Sequence, residues 1–203
     1  MHIPVIPSII RQVLPKSLIW NIKSQRKLYL TFDDGPVKEV TPVVLRILKE
    51  YNAKATFFCV GDNVRKNPEI FKQIIEEGHS VGNHTFSHLN GFKVPAEVYY
   101  QDTVRCSEYV LSNLFRPPHG RMSWSQYKMV NKAYRIVLWS VLTGDYNIKL
   151  SKEKVAGNAI RHSRDGSIIV FHDSIKASER MLYALPLVLE HFTGLGYSFE
   201  KIT

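Results

Sequence analysis

Blocks of apolar residues alternate along the chain with stretches in which apolar positions recur every three or four residues. The run at 28–32, Leu28-Tyr29-Leu30-Thr31-Phe32, leads into Asp33-Asp34-Gly35-Pro36, where glycine and proline end a strand. Thr41-Pro42 then reads as a helix start, with Thr41 as cap and proline in the first turn, and Val44, Leu45, Leu48 and Tyr51 follow at helical spacing. The continuous apolar run at 55–60 is short enough for a strand buried on both faces. Asn67-Pro68 opens a second helix with Ile70, Phe71, Ile74 and Ile75 as its inner face and Gly78 as its stop. Beyond it the pattern predicts strands at 80–82, 114–116, 134–140, 167–171 and 197–201, and helices over 96–113, 125–132, 152–164 and 181–192.

Strand and helix thus alternate about seven times, and the strands are continuously apolar, as in a parallel sheet covered by helices. A doubly wound sheet and a (β/α) barrel both satisfy this pattern. The unusual polar residues favour the barrel. Asp33 and Asp34, His84 and His88, Arg116, Asp145 and His172 lie at or just past the C-terminal ends of five different predicted strands. A barrel gathers all those ends on one face, whereas an open sheet gathers only those at its switch point.

Composition adds bounds rather than a function. The 203 residues suit one domain, and no repeat or low-complexity tract interrupts them. Lysine and arginine number 27 against 18 acids, a balance that suits an anionic partner, but the cations are scattered and form no basic-aromatic stripe, so nucleic acid is not expected. Cys59 and Cys106 have no metal-ligand spacing and read as buried thiols of a reducing compartment. The first residues are too broken by proline for a secretory leader, and no stretch reaches the ~20 apolar residues of a membrane span. The expected location is cytoplasmic, with peripheral contact at the inner membrane face as an option. Residues 1–26 are read as an extension that packs on a domain formed by 27–203, since Pro7 and Pro15 spoil a long amphipathic helix.

Adjacent carboxylates repel, so Asp33-Asp34 implies a nearby cation or a retained proton. His84 and His88, four residues apart, can point the same way from a turn, and with Asp34 they form two imidazoles and a carboxylate, a set that holds catalytic zinc. Such a centre polarises a carbonyl and makes water a nucleophile near neutral pH. Asp33 is then placed to take a proton, with a cation such as Arg116 keeping it ionised.

Thr31-Phe32-Asp33-Asp34-Gly35-Pro36, Ala55-Thr56-Phe57-Phe58, Gly78-His79, Gly82-Asn83-His84-Thr85-Phe86-Ser87-His88, Phe115-Arg116-Pro117-Pro118 and Ile169-Val170-Phe171-His172-Asp173 together resemble the motifs of the polysaccharide deacetylase family, the nodulation-type deacetylases of carbohydrate esterase family four. The resemblance covers the chain from about Lys27 onward. It implies an irregular, incomplete (β/α) barrel and a hydrolase that removes N-acetyl groups from an N-acetylated sugar or glycan. It also implies one divalent metal ion, zinc by default with cobalt, nickel or manganese as alternatives, on Asp34, His84 and His88. By the same resemblance Asp33 is the base and Arg116 orients it, while His172 is the general acid and Asp145 its partner. Val170 helps line the acetyl pocket, and a backbone amide in the Pro118-His119 loop holds the oxyanion.

Two stretches depart from the family pattern. His119 stands where tyrosine is common, and Leu142-Thr143-Gly144-Asp145-Tyr146 replaces Asp-x-x-Asp-Trp, so that the first aspartate is lost and Tyr146 is a smaller aromatic in the substrate groove. An active enzyme with an altered groove is expected. A catalytically impaired glycan-binding protein, or a hydrolase of another non-peptide C–N bond, are the alternatives. The substrate is left as a glycan or a lipid-linked saccharide, and the oligomeric state is unspecified.

Overall fold

The computed structural model describes residues 4, 5 and 7–203. Its elements in chain order are α1 (Ser8–Val13), β1 (Lys27–Asp33), α2 (Thr41–Glu50), β2 (Ala55–Cys59), α3 (Gly61–Lys66), α4 (Pro68–Glu76), β3 (Ser80–Asn83), α5 (Ala96–Ser107), β4 (Leu114–Phe115), α6 (Trp124–Val130), β5 (Arg135–Ile136), β6 (Val141–Leu142), α7 (Lys152–His162), β7 (Ile168–His172), α8 (Ser178–Gly194) and β8 (Ser198–Phe199). Seven strands form one parallel sheet in the order β5-β4-β3-β2-β1-β7-β6, with β8 paired to the start of β1. The sheet curls into an incomplete barrel, as expected. No helix of the described residues is long and apolar enough to cross a membrane.

The two-residue period of a strand sorts its side chains between the convex, helix-covered face and the concave interior. Leu28, Leu30 and Phe32 of β1 join Phe57, Ile169 and Phe171 in the outer core beneath α2, α7 and α8, where Phe32 stacks between Phe57 and Phe171 at centroid distances of 5.0 and 6.0 Å. Tyr29, Phe58 and Ile168 join the inner cluster with Val137 and Ile202. Thr31 and Asp33 share the period of Tyr29, and Val170 and His172 that of Ile168. The register sets Asp33 beside His172 and Thr31 beside Val170. Polar chemistry therefore sits at the C-terminal rim of an otherwise apolar interior.

Several expectations need correction. The strand expected at 134–140 is reduced to β5, and β6 begins only at Val141, because the intervening backbone bonds elsewhere. The Leu138 amide donates to the Ile19 carbonyl, and the Val137 and Leu138 carbonyls accept from Arg116. The helix expected to reach 113 ends at Ser107, and α3 fell outside the predicted elements. Ile75 is exposed, since the short α4 buries one narrow stripe around Ile74. Thr41 is inside α2 rather than capping it. Its hydroxyl donates to Asp173 Oδ2 at 2.6 Å and accepts from the Val37 amide at 2.8 Å.

Residues upstream of β1 lie against the sheet. Ile19 bridges Val137, Asn21 bridges Ser167, and the Pro4 carbonyl accepts the Leu142 amide on edge strand β6. Ile19 and Ile22 pack on the inner cluster.

Candidate active site

Asp33 ends β1 and Asp34 follows with φ of 85°, so the two carboxylates leave the strand in different directions. Asp33 is buried and accepts a 2.6 Å bond from Arg116 Nη1. Arg116 lies just past β4, three strands from β1, which is about 14 Å across a flat sheet. Only the curl of the sheet lets one side chain bridge that span. Its charge is fully buried: Nη1 also donates to Thr31 Oγ1, Nε to the Val137 carbonyl and Nη2 to the Leu138 carbonyl, while Phe58 covers the guanidinium face at 4.1 Å. Each of the three guanidinium nitrogens thus donates to at least one partner, which is what makes a buried cation tolerable.

The loop after β3 carries the histidines. The Asn83 side chain accepts the Thr85 amide and donates to the Thr103 carbonyl, and the Thr85 hydroxyl accepts the Leu89 amide. These bonds hold Thr85 and His88 at φ of 61° and 54°. His119 adopts 59°, so four non-glycine residues of this region occupy the sparsely populated left-handed range, as happens where function over-determines a backbone. His88 Nε2 lies 3.1 Å and His84 Nε2 3.9 Å from Asp34 Oδ1. The ligand atoms of Asp34, His84 and His88 fall within 4.8 Å of one another.

The donor chemistry of this triad fits a divalent cation. His84 Nδ1 is 2.8 Å from the Arg116 carbonyl, which can only accept, so the proton is on Nδ1 and the Nε2 lone pair faces Asp34. Burial pushes the His84 imidazole down to about 4, so it is neutral, as a ligand must be. Burial works to raise Asp34, but the hydrogen bond from His88 and the charges of His172, His88 and His84 hold it below the usual carboxylate range. Asn63 Nδ2 fixes the Asp34 carbonyl at 2.7 Å.

Beside Asp33 in the register, His172 ends β7. Its Nδ1 is 2.8 Å from Asp145 Oδ1, and its amide donates to Asp145 Oδ2 at 2.7 Å. Burial opposes charge on His172, but Asp145 overrides it and, with Asp34 and Asp33, pushes the imidazole up to about 10. Arg180 Nε holds the Asp145 carbonyl at 2.7 Å. Asp173 faces away from the cleft and ties down the loop behind Asp34, with Oδ1 accepting the Gly35 amide at 3.0 Å. Burial, then the charge of Asp34, pushes its carboxyl up to about 8 against the hydrogen bonds from Thr41 and Gly35.

These groups open into a cleft of about 620 Å³. Of the residues singled out in the sequence, Asp33, Asp34, His84, His88, His119, Tyr146, Val170 and His172 line it. Arg116 and Asp145 are buried behind Asp33 and His172, and Pro118 is buried outside the lining. The His119 ring meets that of His88 edge-on at 4.6 Å, and Tyr146 meets His172 at 5.1 Å. Leu142, at the position of the missing aspartate, also lines the cleft. Sequence reasoning passed over Trp139, Lys93, Arg121 and Lys176 in the lining, and the supports Asp173, Asn63 and Arg180. Only Asp173 had a signal, as the last residue of the His172 motif. Trp139 packs against Gly120, where a Cβ would come 2.5 Å from the indole.

A family profile described as polysaccharide deacetylase matches residues 21–135, a span that stops short of Asp145 and His172. A peptidoglycan-N-acetylglucosamine deacetylase of Bacillus cereus is 31% identical over 192 residues, which cover 91% of this chain and 90% of that protein. A chitooligosaccharide deacetylase of Azorhizobium caulinodans is 37% identical over 169 residues, 79% of this chain and 80% of the relative. Among solved structures, the Bc1960 peptidoglycan N-acetylglucosamine deacetylase superposes with a TM-score of 0.83 at 32% identity, covering 92% of this chain and 91% of that one.

Proposed function

The chain belongs to the polysaccharide deacetylase family, and from that membership we propose that it is a metal-dependent hydrolase that removes N-acetyl groups from an N-acetylated glycan. The observation that carries the proposal is the pairing of Asp33 with Arg116 and of His172 with Asp145 in the same cleft as the Asp34-His84-His88 cluster.

A divalent cation held by Asp34, His84 and His88 would supply Lewis acidity, polarising the acetyl carbonyl and lowering the pKa of water to about 7. Asp33, aimed by Arg116, accepts the proton of the attacking water. The His119 amide, in a loop that supplies the cleft-lining residues His119, Gly120 and Arg121, is assigned to the developing oxyanion. His172 holds a proton at Nε2, the nitrogen not engaged by Asp145, and delivers it to the departing sugar amine. Val170 and Leu142, adjacent in the β6–β7 register, give the acetyl methyl an apolar wall. An amine is a poor leaving group unless protonated, so the base and the acid must stand in opposite protonation states at the same pH.

The test is acetate release from N-acetylglucosamine oligomers and peptidoglycan fragments by protein loaded with zinc, cobalt, nickel or manganese in turn. Asp33→Asn is expected to lower kcat by about 10²–10⁴-fold while metal binding persists. Loss of metal in that variant would exchange the roles given to the two aspartates, and no acetate release with any metal would overturn the proposal.

A further inference from the structure

Five large apolar side chains among the described residues are at least 60% exposed: Val13, Phe92, Leu111, Ile148 and Ile175. Three of them are close in sequence to residues that line the cleft. Phe92 stands between the lining residues Asn90 and Lys93, Ile175 between Ser174 and Lys176, and Ile148 two positions beyond Tyr146. They come from three separate loops at the C-terminal ends of β3, β7 and β6. Each is followed by an exposed lysine, Lys93, Lys149 or Lys176, none of which forms an ion pair among the described residues. Arg121 adds a further cation to the cleft wall, and the nearest exposed acids in sequence, Glu97, Glu153 and Glu179, lie three or four residues beyond these lysines in the helices that follow.

An apolar tip beside a cation, repeated on three loops of one face, matches an anionic bilayer surface. The apolar side chains enter the headgroup boundary while the lysines meet lipid phosphates. Isolated exposed apolar residues need no explanation, but three on loops that also line one cleft can act together as a contact surface. We propose that the mouth of the cleft docks on an anionic phospholipid surface through Phe92, Ile148 and Ile175 with Lys93, Lys149 and Lys176. Joined to the deacetylase reading, on which this last step rests, the docking makes the substrate an N-acetylated saccharide carried on a lipid phosphate, which enters the cleft from the membrane side. The net charge of +9 draws the protein to the same surface.

Vesicle flotation tests the docking without reference to catalysis. The wild-type protein is expected to bind vesicles containing phosphatidylglycerol, more weakly as salt rises, and not vesicles of phosphatidylcholine alone. The triple variant Phe92→Ser/Ile148→Ser/Ile175→Ser should bind about tenfold or more weakly, and Lys149→Glu about fivefold or more weakly. Both should melt as the wild type does and release acetate from soluble oligomers at the wild-type rate. Val13→Ser/Leu111→Ser, away from the mouth, should bind vesicles like the wild type. Wild-type protein that ignores anionic vesicles, a triple variant that binds undiminished, or an equal loss in the Val13/Leu111 control would overturn the proposal. If vesicle binding behaves as expected but the wild type releases no acetate, the deacetylase reading fails and the docking surface stands.

Discussion

His172 and Asp33 are paired across β7 and β1, yet the chemistry assigned to them requires one charged with a proton and the other without. The two side chains have different buried partners. Asp33 receives a cation, Arg116, and His172 receives an anion, Asp145. For His172 the consequence can be signed. Its folded-state value, about 10, lies above the ordinary 6.5, so the stability its proton confers is fully present below 6.5 and is lost as pH rises through about 10. In the metal-free protein, an NMR titration of the His172 imidazole should therefore place its midpoint near 10. Asp145→Asn removes the opposing charge and leaves burial to act, so the midpoint should fall by more than about one unit, with the alkaline limb of activity moving in the same direction. A His172 midpoint unchanged by Asp145→Asn would mean that Asp145 shapes the loop without tuning the acid.

The elements carrying these residues are held by contacts between distant parts of the chain, and the loop after β1 shows it most directly. At Gly35 a Cβ would come 1.9 Å from Asp173 Oδ2, so the glycine of the first motif is there because a carboxylate from beyond β7 occupies the space. Gly35→Ala should destabilise by about 1–3 kcal/mol or more in urea denaturation and should also slow turnover by displacing Asp34. Adding Asp173→Ala should cost less than the sum of the two single changes, since the clash disappears, whereas additive costs would show that the crowding is not the cause. The same dependence on distant contacts sets what could be read in advance. β1, β2 and β7 were legible because they are buried on both faces and continuously apolar. The shortening of the strand expected at 134–140 to β5 was not, because Ile19 and Arg116 take the backbone groups that follow and neither lies within a local window. Asp34, His84, His88 and Arg116 were legible as chemistry placed at strand ends. Asp173 and Arg180, which act by bonding backbone from far along the chain, carry no periodic signal.

Taken as one body, the barrel assembles the Asp34-His84-His88 cluster from two strand ends, β1 and β3, that are separated by β2 and about 50 residues of chain. No unfolded chain holds these donors together, so a cation that binds them binds the folded state alone and must raise stability by mass action. At a free concentration 100 times its dissociation constant, the cation should add about 2.7 kcal/mol. For a chain of this size that is a rise in Tm of about 5–11 °C, readable by thermal melting of chelator-treated protein before and after adding zinc. His84→Ala and His88→Ala should each abolish the rise, because each removes one of the three converging donors. Asp33→Asn should keep it, because Asp33 is engaged by Arg116 rather than by the cluster. His119 gives the sharpest comparison: its ring touches that of His88, but its nitrogens are not among the converging ligand atoms. His119→Ala should therefore keep most of the metal-induced rise while altering turnover, and a loss as large as that of His84→Ala would make His119 a fourth ligand.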